Sequence, residues 1–366
     1  MFYTTVAGWM IAYAFKMATG QLTGLGTSAS ASASGAAEQA FTALLADPFQ
    51  MLFWMVIICG IGFFIVGLGL QNGVERVTKV MMACLFVAIV ILAINSVMLP
   101  GAHAGLEFYL MPDFGKMIEN GFGDAVYAAM GQAFFTLSIG ASGMAIFGSY
   151  IGRDRRLTGE AASVAGLSTL ISLLAGLIIF PACFAYGVSP DSGPNLVFVT
   201  LPSVFDQMWG GQLWGTLFFI FMSFAALSTV IGVFENIVAF CMDQWGVSRR
   251  SAVAINAVLI IVLSVPCILG FNVWQGVQFP GIGDIQSLED FIVSNNVLPL
   301  GGLVYVLFCT SRYGWGWKNF LIEANTGAGP RFPKWAHAWI AYGIPVLMVV
   351  IFIMGYIPKF QIWLGL

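Results

Sequence analysis

The stretch whose residue types point most clearly to a binding function is residues 131–150, GQAFFTLSIGASGMAIFGSY. It is apolar enough for a bilayer but polar at its centre. Residues 136–143 contain two glycines, two serines and a threonine. A helix that breaks at mid-membrane exposes N–H, C=O and hydroxyl groups, and these can bind an ion or a small ligand. Glycine and serine also allow membrane helices to pack closely, so a packing role is the alternative interpretation.

The composition is typical of a polytopic membrane protein. Of the 366 residues, 59% are hydrophobic and only 8% are charged, and the mean hydropathy is +0.90. The net charge of -3 gives no basic patch for a nucleic acid. The six cysteines form no CxxC pair, and the two histidines, His103 and His337, lie far apart. The sequence therefore offers no cluster for metal binding or nucleophilic catalysis, and it leaves the oligomeric state open.

Nine apolar runs are each close to the ~20 residues that a membrane-spanning helix needs. Lys and Arg collect in cytoplasmic connectors, and four alternate connectors hold 11 of the 14 basic residues, which places the Met1 end in the cytoplasm. On the other side, the Ser- and Ala-rich run 27–35 predicts a flexible loop. The more apolar connector 188–210 is expected to fold back over the protein as a lid. The nine runs are residues 3–20, 50–70, 78–98, 124–150, 163–187, 211–241, 251–273, 290–311 and 336–357.

Several segments resemble the neurotransmitter:sodium symporter family. They are residues 131–150, LIIFPACFAYG (177–187), GPNLVFVTLPSVF (193–205) and FAALSTVIGVFENIVAF (224–240), while GLEFYLMPDFGKM (105–117) and WGWKNFLIEANTG (315–327) are similar to bacterial members. The resemblance implies an all-α polytopic membrane helical bundle with the LeuT-type inverted-repeat fold, as one transmembrane domain over residues 1–366 in a bacterial inner (plasma) membrane. Residues 2–20 resemble the family's third span, so the nine spans would be family spans 3 to 11, with the first two lacking.

The resemblance assigns the substrate pocket to side chains on three of the predicted spans. Tyr3 matches a tyrosine whose hydroxyl meets the substrate carboxylate, although a lone tyrosine near a membrane interface is usually an aromatic-belt residue. Phe135 matches the aromatic residue that closes over the substrate. Ala141 and Val233 are small where the family often has larger side chains, which implies a bulky apolar or aromatic amino acid. The full set is Tyr3, Phe135, Thr136, Ser138, Ala141, Thr229 and Val233.

The resemblance also implies two sodium sites built from carbonyl and hydroxyl oxygens, which suit a hard cation. Thr136 and Ser168 match positions of the first site. Ala225, Ser228 and Thr229 match the second, and their spacing puts them on one helix face. The alternative is that each residue of the Ser-Thr pair is only hydrogen-bonded to the carbonyl four residues before it in its own helix.

The resemblance also implies a candidate binding site for a chloride ion. Ser168 stands where the family has a sodium-coordinating Asn or Asp, and Ser172 where some members have an acid and animal members a chloride-binding serine. Gln132 and Thr136 are compatible with the same site. Either chloride replaces the missing negative charge or the first sodium site is weak. A simple packing role for the two serines is the alternative.

Acidic and aromatic residues at the span ends match the gates of the family. Asp290 matches the extracellular gate acid, while Asp243 and Tyr150 match intracellular gate residues, and the arginine partners of both acids belong to the lacking segments. Glu235 lies within a predicted span, where a carboxylate is costly. It is therefore either a functional group or a paired one.

Together these matches imply a sodium-coupled symporter that moves a small amino acid inward by alternating access. The alternative is a folded membrane fragment that does not transport because the first two spans are lacking. A membrane enzyme is a third class, and no nucleophile, base or metal set supports it.

Overall fold

The computed structural model describes residues 2–22, 33–69, 74–119, 121–141, 143–187 and 193–364. Within these ranges the regular structure is helical, and the only pairing of the β type consists of two isolated bridges. The predicted all-α class is therefore confirmed. The loop prediction for residues 27–35 falls mostly outside the described residues, as does the start of the lid prediction, residues 188–192.

The α-helices are numbered in chain order. They are α1 (Phe2–Ala18), α2 (Ala33–Ala46), α3 (Pro48–Gly67), α4 (Arg76–Val97), α5 (Ala102–Leu110), α6 (Phe114–Glu119), α7 (Phe122–Thr136), α8 (Gly143–Tyr150), α9 (Leu157–Ala185), α10 (Leu201–Gln207), α11 (Gly211–Trp245), α12 (Arg249–Gly270), α13 (Ile285–Phe291), α14 (Leu298–Thr310), α15 (Trp317–Ala324) and α16 (Ile344–Leu364). Three π-helical segments, Leu196–Thr200, Ile292–Val297 and Trp339–Gly343, lead directly into α10, α14 and α16.

Seven helical segments of the described chain are long and apolar enough to cross a bilayer. Each coincides with one of the predicted runs. Of the other two runs, residues 3–20 form the 17-residue helix α1, and residues 124–150 form α7 and α8 with a break between them. The total of nine spans therefore stays a prediction. The seven segments are Pro48–Gly67, Arg76–Val97, Leu157–Ala185, Gly211–Trp245, Arg249–Gly270, Ile285–Thr310 and Lys334–Ile357.

The chain divides into two compact units, and the first comprises Met1–Pro112 and Ile171–Gly276. Helix α1 packs against α3 and α11 within this unit. A Cβ atom added to Gly8 would lie 2.9 Å from the backbone nitrogen of Met55, so glycine is needed for this close approach of α1 to α3. The buried Trp9 and Tyr13 rings pack edge-on against Phe198. Since Phe198 belongs to the connector 188–210, the described part of that connector does fold onto the protein.

The second unit comprises Asp113–Leu170 and Val277–Leu366. Helix α14 packs against α16, and α7 contacts both. The connectors that follow α8 and α15 are joined by hydrogen bonds. Arg156 Nε donates to the carbonyl of Asn325 at 2.9 Å, and the N–H of Ala328 donates to the carbonyl of Asp154 at 2.8 Å. These contacts fix both connectors at the same end of the unit.

Candidate functional site

The helix predicted over residues 124–150 is broken at its polar centre. Helix α7 ends at Thr136 and α8 begins at Gly143. Between them Ser138 and Gly140 have positive φ angles, 49° and 87°. Ser138 is the one residue other than glycine with a positive φ among those described, which is uncommon for a side-chain-bearing residue. The break that the Gly/Ser pattern predicts is therefore present.

The break leaves two backbone oxygens without a hydrogen-bond donor among the described residues. The N–H groups of Ser138 and Ile139 donate back to the carbonyls of Phe135 and Phe134, each at 3.0 Å, and so close the end of α7. The carbonyls of Thr136 and Leu137 accept no hydrogen bond from any described residue. Unpaired carbonyls at the end of a membrane helix are the groups that coordinate small cations in discontinuous helices.

A cavity of about 320 Å³ lies beside α7 within the second unit. Three residues of the predicted site, Gln132, Phe135 and Asp290, line it together. Gln132 Nε2 donates to Thr136 Oγ1 at 3.2 Å, and Ser294 Oγ donates to Asp290 Oδ1 at 2.8 Å. The structure therefore brings Phe135, the aromatic residue predicted to close over the substrate, and Asp290, the predicted extracellular gate acid, into one cavity.

The cavity also contains polar residues that the sequence analysis did not select. Tyr127, Ser294 and Asn295 line it, and Asn295 Nδ2 donates to the Tyr127 hydroxyl at 2.9 Å. Ser294 and Asn295 belong to the π-helical segment Ile292–Val297. Such segments are frequent at functional sites. The signal in the sequence was the polar Ser-Asn-Asn triplet at 294–296 inside the apolar run 290–311.

The first unit holds a second group of predicted site residues, on α1 and α11. The side chains of Tyr3 and Thr229 lie close enough to interact. Ser228 Oγ and Thr229 Oγ1 both donate to the carbonyl of Ala225, at 2.8 and 3.3 Å. Thr229 therefore bonds to the carbonyl four residues before it, as the alternative predicts, whereas Ser228 bonds to the carbonyl three residues before it. Each hydroxyl oxygen keeps its lone pairs, so these bonds do not prevent the pair from coordinating a cation. Val233, one turn further along α11, is 48% exposed.

Ser168 and Ser172 lie four residues apart on α9, at the point where the helix passes from one unit to the other. Gln132 and Thr136 are joined by their own hydrogen bond, and Ser168 makes no hydrogen bond to either of them within the described part of the second unit. In the first unit, the hydroxyl of Tyr109 lies 3.4 Å from the carbonyls of both Ser172 and Leu173. Burial at this contact raises the pKa of Tyr109.

The remaining predicted residues lie at helix ends or in the core. Tyr150 is the last residue of α8, and Asp243 is exposed near the end of α11. Glu235 is fully buried on α11 and forms an ion pair with Arg249, the first residue of α12. Arg249 Nε also donates to the carbonyl of Val66 at 2.9 Å. Of the two interpretations of Glu235, the structure shows the paired one.

Ala141, the last predicted pocket residue, lies half-buried in the break.

An apolar helical bundle that contains a membrane helix broken at a polar segment is the architecture of a membrane transporter. The break is the feature that defines this class here, with hydroxyl groups beside it and two carbonyls that accept no hydrogen bond from the residues described.

Comparison with known proteins agrees with this class. The sodium:neurotransmitter symporter family matches residues 40–362. An uncharacterized sodium-dependent transporter of Bacillus subtilis, YhdH, is 33% identical over 354 residues, which cover 96% of this chain and 75% of the relative. An uncharacterized sodium-dependent transporter of Haemophilus influenzae is 30% identical, with the same two coverages. The crystal structure of MhsT in complex with L-phenylalanine superposes with a TM-score of 0.82 at 38% identity, and the match covers 97% of this chain and 77% of MhsT.

The chain belongs to the sodium:neurotransmitter symporter family. It is an integral membrane protein of the LeuT-type fold, and its family consists of sodium-dependent transporters rather than enzymes. The resemblance read from the sequence motifs is therefore confirmed.

Proposed function

We propose that the chain is a sodium-coupled symporter of a bulky apolar or aromatic amino acid. It acts as one transmembrane domain in a bacterial inner membrane, with the Met1 end in the cytoplasm. The observation that carries this proposal is the break between α7 and α8, where the Thr136 and Leu137 carbonyls accept no hydrogen bond from the described residues. If these two carbonyls accepted hydrogen bonds within the helix, the segment would be a kinked helix rather than a broken one.

The proposed substrate ligands are those that the family resemblance implies. The Tyr3 hydroxyl donates to the amino-acid carboxylate, and Phe135 covers the side chain of the substrate. Ser138, Ala141 and Val233 line the space for that side chain, together with Thr136 and Thr229. Two of these side chains, Ala141 and Val233, are small, and this supports a large substrate. A similar protein, MhsT, is known in complex with L-phenylalanine.

The proposed sodium ligands are oxygens of two groups. Thr136 offers its hydroxyl and its carbonyl, which accepts no hydrogen bond in the described part of the chain, with Ser168 as a further ligand of the first site. Ala225, Ser228 and Thr229 form the second site, where two hydroxyls already converge on one carbonyl. All of these are hard oxygen donors, which a sodium ion prefers over nitrogen or sulfur.

Chloride and the gates complete the proposal. Gln132, Thr136, Ser168 and Ser172 would bind chloride, which supplies the negative charge that no carboxylate provides among them. Asp290 acts at the extracellular gate, while Tyr150 and Asp243 act at the intracellular one. Sodium and substrate then drive alternating access, because they bind the outward-open and inward-open states with different affinity.

Uptake by reconstituted protein tests this function. The chain of 366 residues and the same chain joined to the family's first two spans are each placed in liposomes, and uptake of labelled phenylalanine is followed with and without an inward sodium gradient. Saturable uptake that requires sodium supports the proposal. Uptake by the joined chain alone would favour the non-transporting fragment for residues 1–366. If neither form takes up any of the twenty amino acids, sodium-coupled symport is contradicted.

A further inference from the structure

The broken segment of the second unit rests on two adjacent glycines of α14, Gly301 and Gly302. A Cβ atom added to Gly301 would lie 3.0 Å from the carbonyl carbon of Gly140, and nearer still to its oxygen. A Cβ atom added to Gly140 would lie 2.5 Å from the backbone nitrogen of Gly302 and nearer still to the carbonyl oxygen of Leu298. The turn of the break and helix α14 therefore meet backbone to backbone.

We propose that Gly301 is a positioning residue for the ion- and substrate-binding segment, an inference that rests on the proposed function. The turns within residues 137–141 give the segment its shape, but they do not hold it against the rest of the unit. The contact at Gly140 does, because it lies between the proposed ligand Ser138 and the proposed pocket residue Ala141. A displacement of Gly140 would move both of these groups together with the Thr136 carbonyl.

The surface that receives the segment is itself fixed. Helix α14 packs against α16, and a Cβ atom added to Gly302 would lie 2.5 Å from the methyl carbon of Met348, which is buried. Met348 therefore supports α14 at Gly302, where the same Cβ atom would also lie 3.3 Å from Cγ2 of Ile139 in the broken segment. Because α14 is held in this way, the broken segment, rather than α14, is expected to move when the contact at Gly301 is widened.

The two glycines differ in what their Cβ atoms would meet, and this gives a matched pair of variants. Alanine at position 302 meets side-chain atoms only: the end of the flexible Met348 thioether, which can turn aside, and at 3.3 Å the Cγ2 methyl of Ile139, which needs a shift of only a few tenths of an ångström. Alanine at position 301 meets backbone atoms, which can give way only by moving the whole turn. Both substitutions add one methyl group to the same helix, so their effects on helix propensity and hydropathy are equal.

The expected effect follows from the size of this movement. Restoring ordinary contact distances around an alanine at position 301 requires a shift approaching about 1 Å, and a misplacement of that size can cost about 10²-fold in function. We expect Gly301→Ala to raise the concentrations of sodium and substrate at half-maximal uptake at least about tenfold. Gly302→Ala should leave both concentrations close to those of the parent.

The experiment compares the parent, Gly301→Ala and Gly302→Ala in the form of the protein that shows sodium-dependent uptake. Half-saturating sodium and substrate concentrations, maximal rate, membrane content and thermal unfolding midpoint are measured for each. A rise in both half-saturating concentrations confined to Gly301→Ala, with membrane content and midpoint matching Gly302→Ala, supports the inference. If Gly301 served only in folding, Gly301→Ala would instead lower the membrane content and the thermal unfolding midpoint. That result, or a failure to recover folded Gly301→Ala, would contradict the inference. Equal sodium dependence of the two variants would also contradict it, while leaving the proposed function intact. A parent without sodium-dependent uptake would overturn both.

Discussion

The ion pair between Glu235 and Arg249 should contribute more to stability than any exposed pair in the described chain. The Glu235 side chain is fully buried, and that of Arg249 is only 24% exposed. Glu235→Gln keeps the shape of the side chain but removes its charge, so a largely desolvated guanidinium loses its counter-ion. Breaking a buried pair in this way costs about 3–5 kcal/mol, and the partial exposure of Arg249 favours the lower end, ~3 kcal/mol.

A double-mutant cycle separates the pair from its surroundings. Arg249→Met removes the charge on the other side and also the hydrogen bond to the Val66 carbonyl, worth about 1 kcal/mol. We expect the variant with both substitutions to be destabilised by about 2 kcal/mol less than the sum of the two single effects. Both charges are absent from that variant, so no buried charge lacks a counter-ion. The measurement is the free energy of unfolding in detergent micelles with increasing denaturant. Glu75→Gln, in the exposed pair with Lys79, is the control and should cost less than about 1 kcal/mol. Strictly additive effects of the two substitutions would refute the reasoning.

Three further predictions concern the proposed site. Ser228→Ala combined with Thr229→Val should abolish sodium-dependent uptake without reducing membrane insertion, because it removes two hydroxyl oxygens from the second sodium site; unchanged uptake at low sodium would argue against that site. Ser172→Glu should make uptake independent of chloride by supplying a fixed negative charge, and a parent that transports equally well in chloride and gluconate would rule the chloride proposal out. Ala141→Phe should shift preference toward smaller amino acids, since each methylene of lost fit is worth about 1–3 kcal/mol. If a competition panel ranks amino acids as before, Ala141 does not line the pocket.

Hydropathy predicts much of this fold because a membrane-spanning helix needs a long apolar run. Seven of the predicted runs coincide with apolar helices of sufficient length. The break after Thr136 was also predictable, since glycine and serine are concentrated there in an otherwise apolar run. The pattern did not predict that Ser138 would adopt a positive φ beside Gly140, because local sequence permits several turns of similar energy.

Sequence patterns did not predict the contacts between segments that are distant along the chain. Glu235 could be recognised as costly, but its partner Arg249 lies 14 residues away on another helix, and no periodicity connects them. Gly301 looks like any small residue of a membrane helix until the break is found against it. The hydroxyls of Ser228 and Thr229 illustrate a different limit. The same two residues satisfy both the bonding to their own helix and the sodium interpretation, so the sequence could not choose between them.

Sodium-dependent uptake of labelled phenylalanine into liposomes, measured across a range of sodium concentrations, tests the central claim most directly. The account predicts uptake that saturates with phenylalanine, disappears when potassium replaces sodium, and is lost in the variant that combines Ser228→Ala with Thr229→Val. Uptake that persists unchanged in potassium would contradict sodium coupling through the oxygens assigned here.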